Sequence, residues 1–399
     1  TAISNDQLKR EKQSAGTVGA WTSTTALTGT GRRDHASVVY NGYLYALGGL
    51  DGSSSVFLNS VEFAPINANG TLGAWTTTTA FTTARAGFVA VAYNGYMYVL
   101  GGAVDSDWRD INSVQFAPIN PDGTLGSWTA TTSLTTTRNG HTAVAYNGYL
   151  YVLGWYNDPV VCCGADLLNT VEYAPINANG TLGSWTATTS LTTARNSHTA
   201  VAYNGYMYVL GGGGPINPVE YAPINANGTI GAWSATSSLT AARQLHTSVA
   251  YNGYLYVLGG DDGTGAKNTV QFALINANGT LGSWSGTTSL PAGMYRTASV
   301  VYNGYVYMVG GIGNATFAYV QFAAINTGAL GANGTIGAWT ATSSFTQGRY
   351  SHTSVAYNGY LYVLGGYNDS INFSDVQYAP IKANGTLGSW TTTTSFTTV

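Results

Sequence analysis

The sequence predicts an all-β protein, a seven-bladed β-propeller of four-stranded antiparallel blades, and three observations lead to that fold class. The tetrapeptide Tyr-Asn-Gly-Tyr occurs seven times in 399 residues, always in the same frame. Each copy lies between two short segments rich in β-branched and aromatic residues, and a segment beginning with Trp follows further along. A period of roughly fifty residues is typical of supersecondary units that bury their apolar faces only against one another. The copies begin at Tyr40, Tyr93, Tyr146, Tyr203, Tyr251, Tyr302 and Tyr357.

The third unit shows the four strands, which we name A to D in chain order. Residues 141–146 alternate in character and are rich in strand-forming residues, so they are predicted to form strand A. Asn147-Gly148 is a strong hairpin signal because both residues tolerate positive φ, and 149–153 should return as strand B. After a variable loop, 169–176 is predicted as strand C, and a second turn leads to strand D at 184–188. Four antiparallel strands joined in this way make one blade of a propeller.

Three further positions recur in this frame: paired glycines at the end of strand B, a Trp at the start of strand D, and an Arg before strand A. The combination resembles the kelch motif, and the resemblance covers nearly everything from Trp21 to the C-terminus. It implies a kelch-like propeller. The glycine pairs are Gly48-Gly49, Gly101-Gly102, Gly211-Gly212, Gly259-Gly260, Gly310-Gly311 and Gly365-Gly366. The tryptophans are Trp75, Trp128, Trp185, Trp233, Trp284, Trp339 and Trp390, and the arginines are Arg32, Arg85, Arg138, Arg195, Arg243 and Arg349.

The D-type strands outnumber the blades by one. Seven later tryptophans already open one such strand per blade, yet residues 19–27 form another around Trp21, with no strand A, B or C before it. We expect 19–399 to form the propeller, with 19–27 as a surplus strand that lies idle, competes for the last blade or pairs with a neighbouring molecule. Trp21 and Trp390 are therefore candidate assembly residues. Residues 1–18 carry a high density of charge and are predicted to be a tail or a short helix.

Composition restricts the class of partner. Only 8% of the residues are charged, and Thr, Ser, Asn, Tyr and Gly fill the polar positions instead. Because there is no basic stripe, we expect no nucleic-acid partner. No apolar run reaches the length of about eighteen residues that a membrane span needs. The net charge of −3 leaves little repulsion against self-association, and scarce Lys and Glu beside abundant Thr predict an extracellular or cell-surface protein.

The titratable residues recur at fixed positions of the repeat, and this recurrence argues against a catalytic role. Five histidines share one position, five residues before the first Tyr of Tyr-Asn-Gly-Tyr, and Phe88 and Thr297 occupy that position in the other two units. Glu and Gln exchange at one position of strand C, whereas general acid–base catalysis needs a titrating group. We therefore expect no catalytic residue, no metal site and no cofactor. The recurring arginines are expected to have a packing role. The alternative is that they form a ring of positive charge around one mouth of the propeller and attract an anionic ligand. The histidines are His35, His141, His198, His246 and His352.

The tripeptide Asn-Gly-Thr recurs before strand D and has two interpretations. It matches the acceptor for N-glycosylation, and it also suits a tight turn. The second unit has Asp122 at the same place, which serves a turn but accepts no glycan, so the turn interpretation is favoured. The candidate glycosylation sites are Asn69, Asn179, Asn227, Asn278, Asn333 and Asn384.

The loop between strands B and C differs from unit to unit, and diversified loops on a rigid scaffold commonly bind ligands. We expect this loop on the same face as the D–A connection, opposite the uniform Asn-Gly turns. The alternative to ligand binding is that these solvent-exposed loops differ through neutral drift in sequence. The three aspartates at 105, 107 and 110 are too irregularly spaced for a convincing calcium site. The candidate ligand-binding residues are Trp155, Tyr156, Asn157, Asp158, Trp108, Asp105, Asp261 and Tyr367.

The third of these loops is the strongest candidate. It combines aromatic, amide and carboxylate side chains, which suit a sugar because the rings stack on its apolar face and the polar groups meet its hydroxyls. The alternative is a long loop that folds over and fills the channel. The adjacent Cys162 and Cys163 form either a strained disulfide or two free thiols.

Together these features predict a non-catalytic extracellular module that binds a glycan or a protein through its B–C loop face. The alternative is a structural subunit of an extracellular filament or surface assembly, joined by the N-terminal segment or the surplus strand. A third interpretation is a copper enzyme similar to galactose oxidase, which also has a kelch-like propeller. That enzyme needs a particular set of Tyr, His and Cys ligands, and no such set stands out from the repeat.

Overall fold

The structure is a computed structural model of the chain. It describes residues 32–51, 56–67, 73–157, 166–302, 304–313, 320–325, 334–341, 344, 347–382, 384, 386–388 and 391–392. The predicted tail at 1–18 and the surplus strand at 19–27 lie outside these residues. Within the described part, no helix is long and apolar enough to cross a membrane.

Seven antiparallel sheets follow one another along the chain, and in each of them strand A pairs with B, B with C and C with D. The predicted fold class is thereby confirmed. Blade 1 contains β1 (Arg32–Arg33), β2 (Ala36–Tyr40), β3 (Tyr43–Asp51), β4 (Phe57–Pro65) and β5 (Thr76–Thr78), of which β1 is an extra strand paired with the end of β3. Blade 2 contains β6 (Val89–Tyr93), β7 (Tyr96–Leu100), β10 (Val114–Pro118) and β11 (Thr129–Thr131), and its B–C loop forms a hairpin of β8 (Ala103–Val104) and β9 (Arg109–Asp110).

The remaining blades each contain four strands. Blade 3 contains β12 (Thr142–Tyr146), β13 (Tyr149–Asn157), β14 (Asp166–Pro175) and β15 (Thr186–Thr188). Blade 4 contains β16 (Thr199–Tyr203), β17 (Tyr206–Leu210), β18 (Val219–Pro223) and β19 (Ser234–Ala235). Blade 5 contains β20 (Thr247–Tyr251), β21 (Tyr254–Leu258), β22 (Val270–Leu274) and β23 (Ser285–Thr287). Blade 6 contains β24 (Ala298–Tyr302), β25 (Tyr305–Val309), β26 (Val320–Ala324) and β27 (Thr340–Ala341). Blade 7 contains β28 (Thr353–Tyr357), β29 (Tyr360–Leu364), β30 (Val376–Pro380) and β31 (Thr391–Thr392).

The A strands surround the axis of the ring. Each contacts the A strand of both neighbouring blades, and the contact between β28 and β2 closes the circle. The A strands are half-buried, whereas strand B is buried apart from its first residue in blades 2, 4 and 5. The apolar clusters lie between blades rather than within one, as where Tyr45 and Leu47 of blade 1 pack with Met97 and Val99 of blade 2. A single unit therefore has no core of its own.

The Tyr-Asn-Gly-Tyr motif joins each blade to the next. The hydroxyl of Tyr40 accepts a hydrogen bond from the backbone N–H of Gly95, in the hairpin turn of blade 2, at 2.7 Å. The hydroxyl of Tyr45 donates to the carbonyl of Gly123 at 2.8 Å. A Cβ on Gly123 would lie 2.4 Å from the ring of Tyr43, so only glycine fits against this tyrosine. The motif recurs because it forms the seam between blades.

The glycine pair at the end of strand B lets neighbouring blades approach closely. Gly101 has a φ of +57°, and a Cβ there would lie 2.6 Å from the carbonyl oxygen of Arg138 in the next connection. Gly154 keeps this conformation in the third unit, with a φ of +56°. The register between β13 and β14 shifts between Leu153 and Trp155. Beyond this bulge both strands continue, so blade 3 extends further than its sequence predicted.

The connections between strands lie on two opposite faces of the ring. Residues that follow the D–A connection bridge to residues just after strand B, as at Ala86 with Ala103 and Tyr350 with Tyr367. The D–A connections and the B–C loops therefore share one face, which we name the B–C loop face. The Asn-Gly turns form the other.

In blade 7 the D position is filled from the C-terminal end of the chain. In β30, Gln377 pairs with Thr392 of β31, and Tyr378 pairs with Thr391. The candidate assembly residues Trp21 and Trp390 lie outside the described residues, so their assembly role stays a prediction.

Candidate binding face

The recurring arginines are interior residues. Arg195 has a relative exposure of 0%; its guanidinium donates to the carbonyl of Gly211 at 2.9 Å and forms an ion pair with Glu220. Arg32 pairs with Glu62 in the same way at 2.6 Å. Burial lowers the pKa of Arg195, and the charge of Glu220 opposes that shift. Because these guanidinium groups are enclosed, the alternative of a ring that attracts an anionic ligand is wrong for them.

The recurring histidines are also buried, at the boundary between blades. Burial, and secondly the charge of Arg138, lowers the pKa of His141 to about 3, so its ring is neutral near pH 7. The ring lies next to blade 2, where a Cβ on Gly101 would come within 2.9 Å of His141 Cε1. Among the described residues, no three His, Cys, Asp or Glu side chains form a group that could hold a metal ion.

Blade 2 presents an exposed tryptophan on the B–C loop face. Trp108 lies in the turn between β8 and β9, with a φ of +53° and 44% of its surface exposed. Its ring meets Phe57 of blade 1 edge-on, with the ring centroids 5.5 Å apart. Val56 is 54% exposed beside Phe57. We name Val56, Phe57 and Trp108 the Trp108 patch, an apolar surface that spans two blades.

The acids of the same loop do not converge. The Asp105 carboxylate pairs with Arg109 at 3.2 Å and also accepts the backbone N–H of Asp107. Asp110 is buried and accepts a hydrogen bond from the amide of Asn139 instead. Asp105 and Asp110 thus face different partners.

In blade 5 the acids are engaged within their own loop. The Asp261 carboxylate accepts the backbone N–H of Gly263 at 2.6 Å. Asp262 pairs with Lys267 at 2.9 Å. Hydrogen bonds from Thr264, followed by the one from Lys267, hold the pKa of Asp262 below its usual range. Both carboxylates hold the loop in shape, and Asp261 is correspondingly less available to a ligand.

A second aromatic cluster lies where blades 6, 7 and 1 meet. The rings of Tyr367 and Tyr350 meet edge-on at 5.6 Å, and the Tyr350 hydroxyl donates to Asp369. The guanidinium of Arg33 lies 5.0 Å from the centre of the Tyr367 ring, and that of Arg296 lies 5.9 Å from the Tyr350 ring. Burial, with the hydrogen bond to Asp369, raises the pKa of Tyr350. We name these five residues the Tyr350 cluster.

The sequence analysis identified only one half of this cluster. Tyr367 and Asp369 belong to a B–C loop, where ligand-binding residues were expected. Arg33, Arg296 and Tyr350 lie in D–A connections, where none was predicted. The signal available was the residue directly after the recurring arginine, which varies among the units as Arg33, Ala86, Asn139, Asn196, Gln244 and Tyr350. Variation at that position sets it apart from the uniform part of the repeat, although Ala86 and Tyr350 are buried.

The candidate ligand-binding residues lie on one face, spread around the ring. Asp105 and Trp108 belong to blade 2, Asp261 to blade 5 and Tyr367 to blade 7, and the contacts described for each are to residues of its own or an adjacent blade. In blade 3 the structure describes only the backbone of residues 155–157, as part of β13. Asp158, Cys162 and Cys163 lie outside the described residues, so the sugar site and the disulfide stay predictions.

The Asn-Gly-Thr segments form exposed turns. The Asn179 side-chain oxygen accepts the Thr181 hydroxyl at 2.7 Å, and Asp122 makes the same bond to Thr124 at 2.7 Å in the second unit. The following glycines pack on tyrosine rings, as Gly180 does on Tyr96. These contacts support the turn interpretation, while glycosylation stays a prediction. Asn69 and Asn333 lie outside the described residues.

Comparisons with known proteins agree with this architecture. The Kelch motif matches residues 31–62, 137–173 and 348–378. Three matching repeats within a ring of seven blades support a kelch-repeat β-propeller. A solved structure, described as the structure of YjhT, is similar over 92% of this chain and 99% of its own, with a TM-score of 0.54 and 15% identity, and so supports the fold alone. No curated protein matches the chain at a significant level.

Proposed function

We propose that the chain is a non-catalytic module that binds a protein or glycan partner on its B–C loop face, outside the cell or at its surface. A kelch-repeat propeller is compatible with a protein-binding scaffold. The single observation that carries the proposal is the Trp108 patch, because the tryptophan on this hairpin turn, beyond its edge-on contact with Phe57, leaves 44% of its surface exposed. Large aromatic side chains on a fixed backbone are common anchors in interfaces.

The two faces of the ring differ in a way that favours one of them. On the Asn-Gly face the turns are nearly uniform, and the glycines of the C–D turns pack against tyrosine rings of the neighbouring blade. On the B–C loop face the loops differ between blades, and the Trp108 patch and the Tyr350 cluster both lie there. An apolar patch with arginine and tyrosine groups on the same face suits either a protein surface or the face and hydroxyls of a sugar.

A pair of exposed apolar residues on opposite faces makes a matched test. Binding of the chain to a glycan array and to the surface-protein fraction of the source cells is measured. The unchanged chain is compared with Trp108→Ala and with Leu274→Ala. Leu274 is 45% exposed but lies beside the Asn-Gly turn, at the end of β22. We expect Trp108→Ala to weaken binding about thirtyfold, the effect of losing an interface anchor worth roughly 2 kcal/mol, and Leu274→Ala to leave it unchanged. Loss of binding in Leu274→Ala alone would place the site on the other face.

The proposed location rests on composition, since only 8% of the residues are charged and Lys and Glu are scarce beside abundant Thr. Protease treatment of intact cells tests it. An extracellular chain is degraded, and a chain that survives until the cells are lysed contradicts the proposal.

A further inference from the structure

The turn between strands A and B carries an Asn-Gly pair in every unit, and such a pair can modify itself. The backbone nitrogen of the glycine and the side-chain carbonyl carbon of the asparagine are close in the chain, so the attack of one on the other is intramolecular. Glycine favours this attack because it has no Cβ to obstruct the approach. The reaction needs a free glycine N–H, an accessible asparagine side chain and water.

In blades 2 to 5 the glycine N–H of this turn is engaged. The N–H of Gly95 donates to the hydroxyl of Tyr40 in blade 1 at 2.7 Å. Because the nitrogen must lose this proton before it attacks, the tyrosine of the preceding blade protects the asparagine beside the glycine. The same bond recurs at 2.9 Å between Gly148 and Tyr93, between Gly205 and Tyr146, and between Gly253 and Tyr203.

Gly42 of blade 1 differs from these four glycines. The tyrosine at the corresponding position of the preceding blade is Tyr357, yet the N–H of Gly42 makes no hydrogen bond to any residue that the structure describes. The side chain of Asn41 is exposed and likewise makes no hydrogen bond within the described residues. Blade 1 therefore presents both reacting groups uncovered. For the turns of blades 6 and 7, Asn303 and the side chain of Tyr302 lie outside the described residues.

The turns of blades 1 and 2 are otherwise alike. Asn41 has a φ of +51° and Asn94 has a φ of +46°, and the glycines that follow them have φ values of +86° and +83°. In both turns the glycine carbonyl accepts, at 2.7 Å, the N–H of the isoleucine that follows strand C. The flanking residues, Tyr-Asn-Gly-Tyr, are identical as well. A difference in reactivity between the two asparagines therefore depends on the bond of the glycine N–H.

The Asn-Gly pairs of the C–D turns are protected in a different way. The N–H of Gly180 donates to the carbonyl of Asn177 at 2.9 Å and closes the turn. The side-chain oxygen of Asn179 accepts the backbone N–H of Thr181 at 3.2 Å and its hydroxyl at 2.7 Å. Both reacting groups are engaged there. The same bonds recur at Asn227 and Asn278.

We propose that Asn41 is a self-modification site, at which the chain deamidates faster than at the equivalent asparagines of blades 2 to 5. The nitrogen of Gly42, after losing its proton, forms a bond to Cγ of Asn41, and the bond from Cγ to Nδ2 breaks with release of ammonia. Water then opens the resulting succinimide at either carbonyl, which gives aspartate or isoaspartate. The net reaction consumes water and releases ammonia, and it needs no oxidant or reductant.

The modification changes the Asn-Gly face beside the junction of the first and last blades. All seven A–B turns carry an uncharged asparagine, so the product introduces a negative charge among them. Isoaspartate also lengthens the backbone of the turn between β2 and β3 by a methylene group. The proposed binding surface lies on the opposite face, so this site is independent of the proposed function.

The experiment ages the folded full-length chain in heavy-oxygen water and locates each deamidated asparagine by mass spectrometry of its peptides. Deamidation during ageing incorporates the heavy oxygen, whereas deamidation during a digest in ordinary water does not. We expect Asn41 to deamidate about fivefold faster than Asn94, the factor contributed by a single hydrogen bond. A rate at Asn41 that does not exceed the rate at Asn94 would overturn the proposal.

Ageing of the same chain in urea is the control for local sequence. The flanking residues are identical, so the rates at Asn41 and Asn94 should become equal once the fold is lost. A faster rate at Asn41 that persists in urea would overturn the proposal, because the fold would then not be its cause.

Removal of single hydroxyl groups tests the protection itself. Tyr40→Phe removes the acceptor of the Gly95 N–H, so the deamidation of Asn94 should become about fivefold faster. If circular dichroism shows that Tyr40→Phe does not fold, Tyr93→Phe replaces it, with the rate measured at Asn147. An unchanged rate in the folded variant would contradict the proposed protection.

Tyr357→Phe is the matched variant for blade 1. Because Gly42 has no bond to this hydroxyl within the described residues, we expect the rate at Asn41 to stay the same. Faster deamidation of Asn41 in Tyr357→Phe would show that the hydroxyl protects Gly42 in solution, and would overturn the proposal.

Discussion

At the scale of single residues, the exchange of Glu and Gln in strand C has a structural cause. Glu172 accepts the backbone N–H of Thr135 at 2.8 Å, and Gln115 accepts that of Thr82 at 3.0 Å. In these two units the position supplies an oxygen that receives the D–A connection, and either residue can provide it. Where the residue is Glu, it also balances the charge of the buried arginine beside it.

The sixth unit shows how this pair can be replaced. Met294 stands there in place of the arginine, together with Gln321 in strand C. Arg138→Met should reduce the free energy of unfolding by about 3–5 kcal/mol, because it leaves Glu172 buried without its cation. Adding Glu172→Gln, which reproduces the pairing of the sixth unit, should restore most of that loss. Urea unfolding of the single and double variants measures both effects, and a double variant no more stable than Arg138→Met would show that the charge is not the cause.

At the scale of the element, the two glycine turns of a unit play different parts. Gly148 follows Asn147 in the hairpin turn, has a φ of +83°, and would place a Cβ in open space. Gly180 has nearly the same φ, +82°, but a Cβ there would lie 2.3 Å from the ring of Tyr96 in the preceding blade. One turn shapes a hairpin, while the other also holds two blades together.

Alanine substitution separates these parts. Gly148→Ala should cost about 1–2 kcal/mol, which is the price of the left-handed conformation alone. Gly180→Ala should cost a further ~1–3 kcal/mol, because Tyr96 must move out of a packed seam. Denaturant midpoints of the two variants give the comparison, since the backbone strain is common to both. Equal losses would mean that the tyrosine contact at the seam contributes nothing.

Most of each blade could be predicted from local patterns. Alternation, the Asn-Gly turn and the recurring tryptophan gave strands close to the observed β12 and β15, since hairpins depend on residues near one another in sequence. The extension of β13 and β14 was not predictable, because the bulge after Leu153 depends on how blade 3 meets its neighbour. The Tyr350 cluster was only half predictable for a similar reason: Arg33 and Tyr367 are 334 positions apart and meet only when the ring closes.

At the scale of the whole molecule, the five seams from blade 1 to blade 6 are alike. Each of the seams from blade 1 to blade 6 is crossed by a covalent connection and carries a hydrogen bond from a tryptophan indole N–H to a carbonyl of the preceding blade. The seam between blades 7 and 1 holds Arg32 in the usual place, yet it lacks that bond among the described residues. The surplus strand that the repeat count predicted, residues 19–27, lies outside the described residues.

The proposed binding face is also a property of the whole ring. The Trp108 patch and the Tyr350 cluster each join residues of neighbouring blades, so neither surface exists in an isolated unit. Both lie on the B–C loop face, with blade 1 contributing Phe57 to one and Arg33 to the other. A partner that covers blade 1 on this face can touch both.

Electron microscopy of native material released from the surface of the source cells tests the central claim most directly. The account predicts isolated rings of seven blades that carry additional density over the B–C loop face, above the blade 1 region. Filaments or arrays made of this chain alone would contradict it and make structural assembly the primary role. Partner density confined to the Asn-Gly face would contradict it equally.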